Sequence, residues 1–449
     1  MQPFLPSAFF VYLLCASVSG SFRRAPLRLV AFRAPRMVKL LHLADVHLGG
    51  RLHVAADALM RRVRAATRTA LRRAVGGALH EEVDAVLVAG NFFDARHLGY
   101  DAEQFLTGQL ARLDEAGVPC FYTAGPADPA GTPARETPLD GPASLHHFDA
   151  PAPEGALLTA DDGRPLARVV GTGVGDPAAD AVPSGPFPDP GDDLPHIGLL
   201  HAALPENGER APAPFRRAQP KNGRYTYWAL GGAPRHQPVP DAEERAWYAG
   251  PTAPRGPQQA GMQGGLLVAL GAGQPPQVTF RSFAPLCWVD LTLDDLEGVS
   301  TQHALLRQAE RALETARPER AAPAYLARFT LTGGCPLAPS LRELEARQRL
   351  EAALAAHLDV EAAFVRLRHL TLPARPGRHR DDPHVLREAL ALIDRAAEDP
   401  ALLRELAPGV LAAAPPPGEE DAPERYLREH LAALDREACA RLLRDAQDT

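Results

Sequence analysis

Asp45 and His47 stand one residue apart at the end of an apolar run, in LLHLADVHLGG at residues 40–50. Leu40, Leu41 and Leu43 read as a short buried strand, and Ala44, Asp45 and the Gly49-Gly50 pair end it. In an extended turn a carboxylate oxygen and an imidazole nitrogen at this spacing can converge on a hard or borderline cation. The bland alternative is a turn aspartate capping backbone amides beside a surface histidine. Only further ligands following later strands raise the first reading over the second.

The elements that would position such ligands follow in order. Residues 55–78 carry Leu59, Val63, Ala66, Ala70 and Ala74 near helical spacing, with arginines between. A second strand, 83–89, runs into Gly90-Asn91-Phe92-Phe93-Asp94. A helix at 102–116 precedes a third strand, 118–123, ending at Gly125-Pro126-Ala127-Asp128. Strand, turn, helix, repeated, is the pattern of an α/β layer fold with ligands at the carboxyl ends of strands. Residues 129–195 are rich in Pro, Gly, Asp and Ala, with short apolar pieces at 144–148 and 167–171. Strands are then expected at 197–204, carrying His201, and at 225–230, leading into Gly231-Gly232-Ala233-Pro234-Arg235-His236. Segments 247–250, 265–270 and 277–283 complete the second half of a sheet sandwich, closing a first domain, 37–285, near residue 285. The pattern then changes to strand 287–293, helix 302–315, strand 324–332, helix 339–357 and strand 362–367, a compact α+β unit at 286–375. A helical tail, 376–449, follows a proline- and arginine-rich stretch, with helices at 383–397 and 425–445 and a linker at 412–420. Its apolar stripes are Leu386, Leu390, Leu392 and Ile393, then Leu427, Leu431, Leu434, Leu442 and Leu443. Such stripes are ordinarily core, but a terminal pair beyond a proline linker can also dock on a partner.

The 449 residues exceed one typical domain, and the apolar and charged fractions are those of a soluble globular protein. A net charge of -7 excludes a generally basic surface, so any nucleic-acid contact must be local. Cys15, Cys120, Cys287, Cys335 and Cys439 have no CxxC spacing, which argues against a cysteine zinc site and a disulfide framework and favours a reducing, cytoplasmic setting. Residues 1–36 hold an apolar run at 9–19 followed by Arg23 and Arg24. No basic residue precedes the run, and it is too short to span a bilayer, so no membrane association is expected. The segment reads as a leader or non-native upstream extension rather than a working signal.

Asp45-x-His47, Gly90-Asn91-x-x-Asp94, Gly125-Pro126-Ala127-Asp128, His201 and Gly231-Gly232-Ala233-Pro234 fall where calcineurin-like metallophosphoesterases place their metal-binding motifs. LLHLADVHLG, HIGLLHAAL and YTYWALGG further resemble the SbcD/YhaO-like DNA-repair nucleases of that family. The resemblance spans 38–250 at motif level, and the unit after Cys287 is similar to the family's capping domain. It implies a calcineurin-like β-sandwich flanked by helices, a smaller α+β capping domain and a helical C-terminal tail.

The family's motifs read DxH, GDxxD, GNHD, a strand His and GHxH. Asp45, His47 and His201 match ligand positions, and Asp94 and Asp128 match supporting acids. The bridging aspartate is Asn91, the asparagine ligand is Pro126 and the catalytic histidine is Ala127; Gly232 and Pro234 replace the last two histidines. Five of the eight expected functional positions are substituted. Two dications ~4 Å apart repel by on the order of 15–20 kcal/mol at an effective dielectric of ~20, and an anionic bridge offsets much of that. A neutral Asn91 does not supply it. The expected metal set is therefore Asp45, His47, Asn91 and His201, a weak or vestigial site for one manganese ion, with no catalytic residue at Ala127. Without the leaving-group acid, about 10²- to 10⁴-fold of rate is lost. His236, two residues past Pro234, could reach the last-motif position only through a shifted loop; His42, His97, His146 and His147 lack motif spacing.

The leading expectation is a degenerate exonuclease homologue, a pseudoenzyme acting as a binding subunit with a coiled-coil ATPase of the structural-maintenance type. DNA contact and a homodimer are compatible with it. The competing expectation is an active manganese-dependent phosphodiesterase or exonuclease with an incomplete metal site.

Overall fold

The computed structural model describes residues 37–50, 57–129, 141–173, 184–203, 213–240, 242, 244–271, 273–316, 324–373 and 385–406, with single positions within 427–439. The leader 1–36 and the linker 412–420 lie outside the described residues. Met37–Thr449 forms one compact unit.

The chain runs β1 (Val38–Leu43), α1 (Asp57–His80), β2 (Ala85–Ala89), α2 (Tyr100–Glu115), β3 (Cys120–Thr123) and β4 (Leu145–Phe148). It continues through β5 (Glu154–Thr159), β6 (Pro165–Gly171), β7 (His196–His201), α3 (Ala213–Ala218), β8 (Tyr227–Gly231), β9 (Gln237–Pro238), β10 (Ala246–Tyr248), β11 (Gly264–Leu270) and β12 (Gln277–Ser282). One sheet has the order β12-β11-β1-β2-β3-β4, the other β5-β6-β7-β8-β10-β9. Strands β1 to β4 are parallel, as are β6, β7, β8 and β10, while β11 lies antiparallel to β1. Parallel strands joined through helices leave all their carboxyl ends on one side, where loops from both sheets can meet.

Period-2 patterning decides the layers. From β1, Leu41 and Leu43 face α1 and α2, while Leu40 faces the other sheet. The inter-sheet core joins Leu87, Ala89, Phe121 and Phe148 to Val169, Ile197, Leu199 and Tyr227. Alanines at 70, 74 and 78 let α1 approach the first sheet closely. Val63 and Ala66, one to two turns earlier on α1, pack instead with Leu286, Trp288 and Leu326 of the third sheet.

That sheet is β13 (Cys287–Leu293), β14 (Tyr325–Gly334) and β15 (Ala362–Thr371), all parallel, with α4 (Gln302–Ala316), α5 (Ala338–Leu341) and α6 (Leu344–Leu358). The single helix expected at 339–357 is two, because Glu343 is extended (φ -71°, ψ 130°) between α5 and α6. Strand β15 continues four residues beyond the expected end at 367. The tail forms α7 (Val385–Glu398) and α8 (Pro400–Leu406), and Leu386 and Leu390 pack with Cys439. None of the described helices is long and apolar enough to cross a membrane.

His42, fully buried on β1, has a position in the inter-sheet core. Its Nδ1 lies 2.9 Å from the Tyr227 hydroxyl, and burial pushes its pKa down to about 3. Burial likewise lowers His47, to about 4. The unfolded chain takes up protons on both rings below about 6.5, while the folded chain stays neutral until pH 4 or 3. Their contribution to stability is thus whole above pH 6.5 and lost as the pH falls, by about 1.4 kcal/mol per pH unit for each ring. Urea midpoints of the parent and a His42→Leu variant between pH 7.5 and 5 check this: the variant's pH dependence is expected to be shallower by one ring's share.

Candidate functional site

Two tight turns at the carboxyl ends of β1 and β2 run side by side. Asp45 N–H donates to Gly90 O at 3.1 Å, His47 N–H to Asn91 O at 2.8 Å, and Leu48 N–H to Phe92 O at 3.1 Å; Asp94 N–H returns to Leu48 O at 3.0 Å. The pairing holds Asp45, His47 and Asn91 in left-handed backbone, at φ 49°, 49° and 54°. Asp, Asn and His tolerate that region better than other side-chain-bearing residues, and such conformations persist where surrounding contacts over-determine them.

The over-determining group is Asp128. From the loop after β3, its buried carboxylate accepts four backbone N–H groups: Asn91 (3.1 Å) and Gly125 (2.7 Å) at Oδ1, Phe92 (2.5 Å) and Phe93 (3.3 Å) at Oδ2. Burial raises its pKa to about 6, opposed by the Tyr122 hydroxyl and by the N–H groups of Gly125, Phe92 and Phe93. Asp128 thereby fastens the third loop to the second.

The structure brings Asp45, Asn91 and His201 into direct contact. Ala127 N–H donates to Asn91 Oδ1 at 2.8 Å, and a backbone N–H can only donate, so the carboxamide oxygen is fixed on that side. Its NH₂ faces the other two groups: Nδ2 donates to Asp45 Oδ1 at 2.8 Å and lies 3.4 Å from His201 Nε2. The remaining Asp45 oxygen, Oδ2, accepts Gly232 N–H at 2.8 Å, and His201 Nδ1 lies 3.1 Å from Ala89 O. A donor N–H on Ala89 O puts the His201 proton on Nδ1 and leaves Nε2 as the acceptor for Asn91. Every group in this chain is thus paired.

His47 stands beside it, with Nε2 3.7 Å from Asp45 Oδ1 and a buried Nδ1 that has no hydrogen-bond partner among the described residues. Burial is the largest cause of its low pKa; the Asp45 charge opposes it, and that of Arg255 reinforces it.

A divalent cation needs lone pairs converging on one point. Here Asn91 presents N–H, not carbonyl oxygen, to Asp45 and His201. Among the described residues no group of three or more His, Cys, Asp or Glu side chains is arranged to hold a metal ion. As placed, Asp45, Asn91 and His201 pair with one another and do not converge on one point.

The other motif positions explain why. Pro126 and Pro234 have no ligating group, and Ala127 contributes only backbone. Gly232 adopts φ 101°, and a Cβ there would sit 2.9 Å from Ala202 O, so a side chain at this position is strained and requires the backbone to shift. His236 is stacked on Phe280, ring centroids 3.9 Å apart, not delivered to the Asp45 turn. His97 pairs with Asp94 at 2.9 Å, and His146 and His147 stack on Phe121 and Tyr122. Arg255 and Tyr248, whose surroundings include the Asp45 charge, were not signalled by the sequence: each lies in a strand or loop without motif spacing.

Residues 288–369, β13 through most of β15, match the family described as the middle domain of metallophosphoesterase YhaO. Over 301 residues the chain is 27% identical to the uncharacterized metallophosphoesterase YhaO of Bacillus subtilis (strain 168), covering 66% of this chain and 72% of that protein. Solved structures with similarity include a dimetal phosphatase from Danio rerio, 13% identical over 55% of this chain and 96% of that one, TM-score 0.34. Another is a protein of Thermus thermophilus, 15% identical over 54% of this chain and 98% of that one, TM-score 0.30. In sequence the chain is thus similar to metallophosphoesterase YhaO, and its paired sheets gather their loops at the parallel strand ends.

Replacing Asp128 by alanine strips four N–H groups of their acceptor. At about 1–3 kcal/mol for a buried group left unsatisfied, the loss is expected to be at least about 3 kcal/mol. Urea unfolding of Asp128→Ala beside the parent measures it, and a loss below about 1 kcal/mol would remove Asp128 from this role.

Proposed function

We propose that this chain keeps the metallophosphoesterase scaffold for binding and does not carry out two-metal phosphoester hydrolysis. The observation that supports the reading above all others is the orientation of the Asn91 carboxamide. With its oxygen on Ala127 N–H, its NH₂ supplies to Asp45 and His201 the positive pole that a cation supplies elsewhere in the family. The methyl of Ala127 offers no proton to a leaving alkoxide, and Gly232 has no room for a ligand.

The proposal includes a partner, a coiled-coil ATPase of the structural-maintenance type, engaged through the tail, with DNA as a bound rather than cleaved molecule. Exposed Val385, Leu392, Leu406 and Leu434 support it: they lie outside the small core of Leu386, Leu390 and Cys439 and give the tail apolar surface to cover. Co-purification with the ATPase is expected to be lost on removing residues 381–449 and weakened at least tenfold by Leu392→Glu with Leu406→Glu in the full chain. Unchanged association would refute the tail assignment.

The chemical half of the proposal is tested with a phosphodiester substrate and labelled DNA in the presence of manganese. The expected result is no hydrolysis above that of an Asp45→Ala variant. Stoichiometric manganese together with hydrolysis abolished by Asp45→Ala would establish the competing reading, an active manganese-dependent phosphodiesterase or exonuclease. Gly232→His is expected to lower the melting temperature without restoring activity, since that side chain meets Ala202 in a left-handed turn.

A further inference from the structure

We propose that the solvent face of α1 is a binding stripe for a phosphodiester backbone. This rests on the reading that the chain acts by binding, and it places that binding on a helix and not on the Asp45–Asn91 centre. In a chain of net charge -7, the 24 residues of α1 hold six arginines and a single acid, Asp57.

The six arginines divide by what they touch. Arg62 is paired with Glu361 of the third sheet's unit, and Arg73 donates to Phe283 O at 3.4 Å; these two hold the helix in place. The other four, Arg61, Arg64, Arg68 and Arg72, make no ion pair among the described residues. Their spacings of three, four and four put them on one stripe, within an arc of about 80° and along about 16 Å of helix. Arg61, Arg64 and Arg72 are exposed and Arg68 is half-buried. The guanidinium carbons of Arg68 and Arg72 lie 5.9 and 5.4 Å from the centroid of the Phe105 ring, which limits where those two charges can be.

The shape of this charge selects its partner. A length of about 16 Å spans roughly five nucleotide steps at 3.4 Å per step, and guanidinium forks match phosphate oxygens bidentately. A lipid surface fits poorly: the apolar face of α1 is spent on the first sheet and the third sheet's unit, leaving none to enter a bilayer. Of the acids on neighbouring elements, Glu361 is taken by Arg62, and Asp101 and Glu103 lie in the first turn of α2, which carries Arg112 in its last.

The test uses the full chain, with fluorescence anisotropy of labelled 30-mer duplex DNA, single-stranded DNA and RNA from 50 to 200 mM salt. Parent protein is compared with R61Q/R64Q/R68Q/R72Q and with R64Q alone; glutamine keeps helix propensity nearly unchanged. On duplex DNA the quadruple variant is expected to lose at least tenfold affinity at 50 mM salt and about 3 to 4 from the log–log salt slope; R64Q is expected to lose about 0.9 of slope. Loss on DNA and RNA alike, or on one of them, supports the backbone assignment and names which backbone. If the quadruple variant melts early, the R64Q slope decides. Parent-like binding by the variants overturns the stripe while leaving the binding reading in place, and so does tighter parent binding to poly-glutamate or to phosphatidylserine vesicles. No binding of any nucleic acid by the parent at 50 mM salt overturns the stripe as well. Metal-dependent hydrolysis is a separate result, against the reading on which it rests.

Discussion

The centre of this protein depends on one side-chain amide. Asn91 receives an N–H from Ala127 on its oxygen and turns its NH₂ to Asp45 and His201, so one neutral group bonds the ends of β1, β2 and β7 to the loop after β3. Its geometry follows from a one-way constraint: a backbone N–H donates only, so the oxygen has one place to be and the nitrogen the other. A carboxylate at 91 would face Asp45 Oδ1 from about 3 Å. Two such charges repel by on the order of 5 kcal/mol at an effective dielectric of ~20.

Around that amide the structure spends its strongest local interactions on immobility. Asp128 gathers four N–H groups from two loops, and the β1 and β2 turns are laced by backbone hydrogen bonds that keep three non-glycine residues in left-handed conformation. These hydrogen bonds hold the loops together, with the Asp45 and Asn91 side-chain groups satisfied by one another and by backbone. The arginine stripe on α1 takes no part in this network: Arg61, Arg64, Arg68 and Arg72 make no ion pair among the described residues.

Much of the architecture was legible in the chain because apolar runs end at turn residues: LLHL at β1, VLVA at β2 and IGLLH at β7 all fall where their patterning puts them. Strand β5 escaped because EGALLT has no clean alternation and sits among prolines and glycines, and α3 is too short to show a period. The division of 338–358 into α5 and α6 was hidden because every residue across the break favours helix. At the site, the convergence of Asp45, Asn91 and His201 could be anticipated from the places of the first two after β1 and β2 and of the third at the end of β7. The direction of the Asn91 amide could not, since it is decided by an N–H from a third loop. Nor could the positive φ of Gly232, where a Cβ would meet the backbone of Ala202 and Ala203.

The most direct measurement is the melting temperature of the parent and of Asn91→Asp, each at pH 7.5 with chelator and with millimolar manganese. The account predicts a parent that melts at the same temperature in both, and a variant that melts several degrees lower with chelator and recovers at least part of the loss with manganese. A parent stabilised by manganese to the same degree as the variant would contradict it.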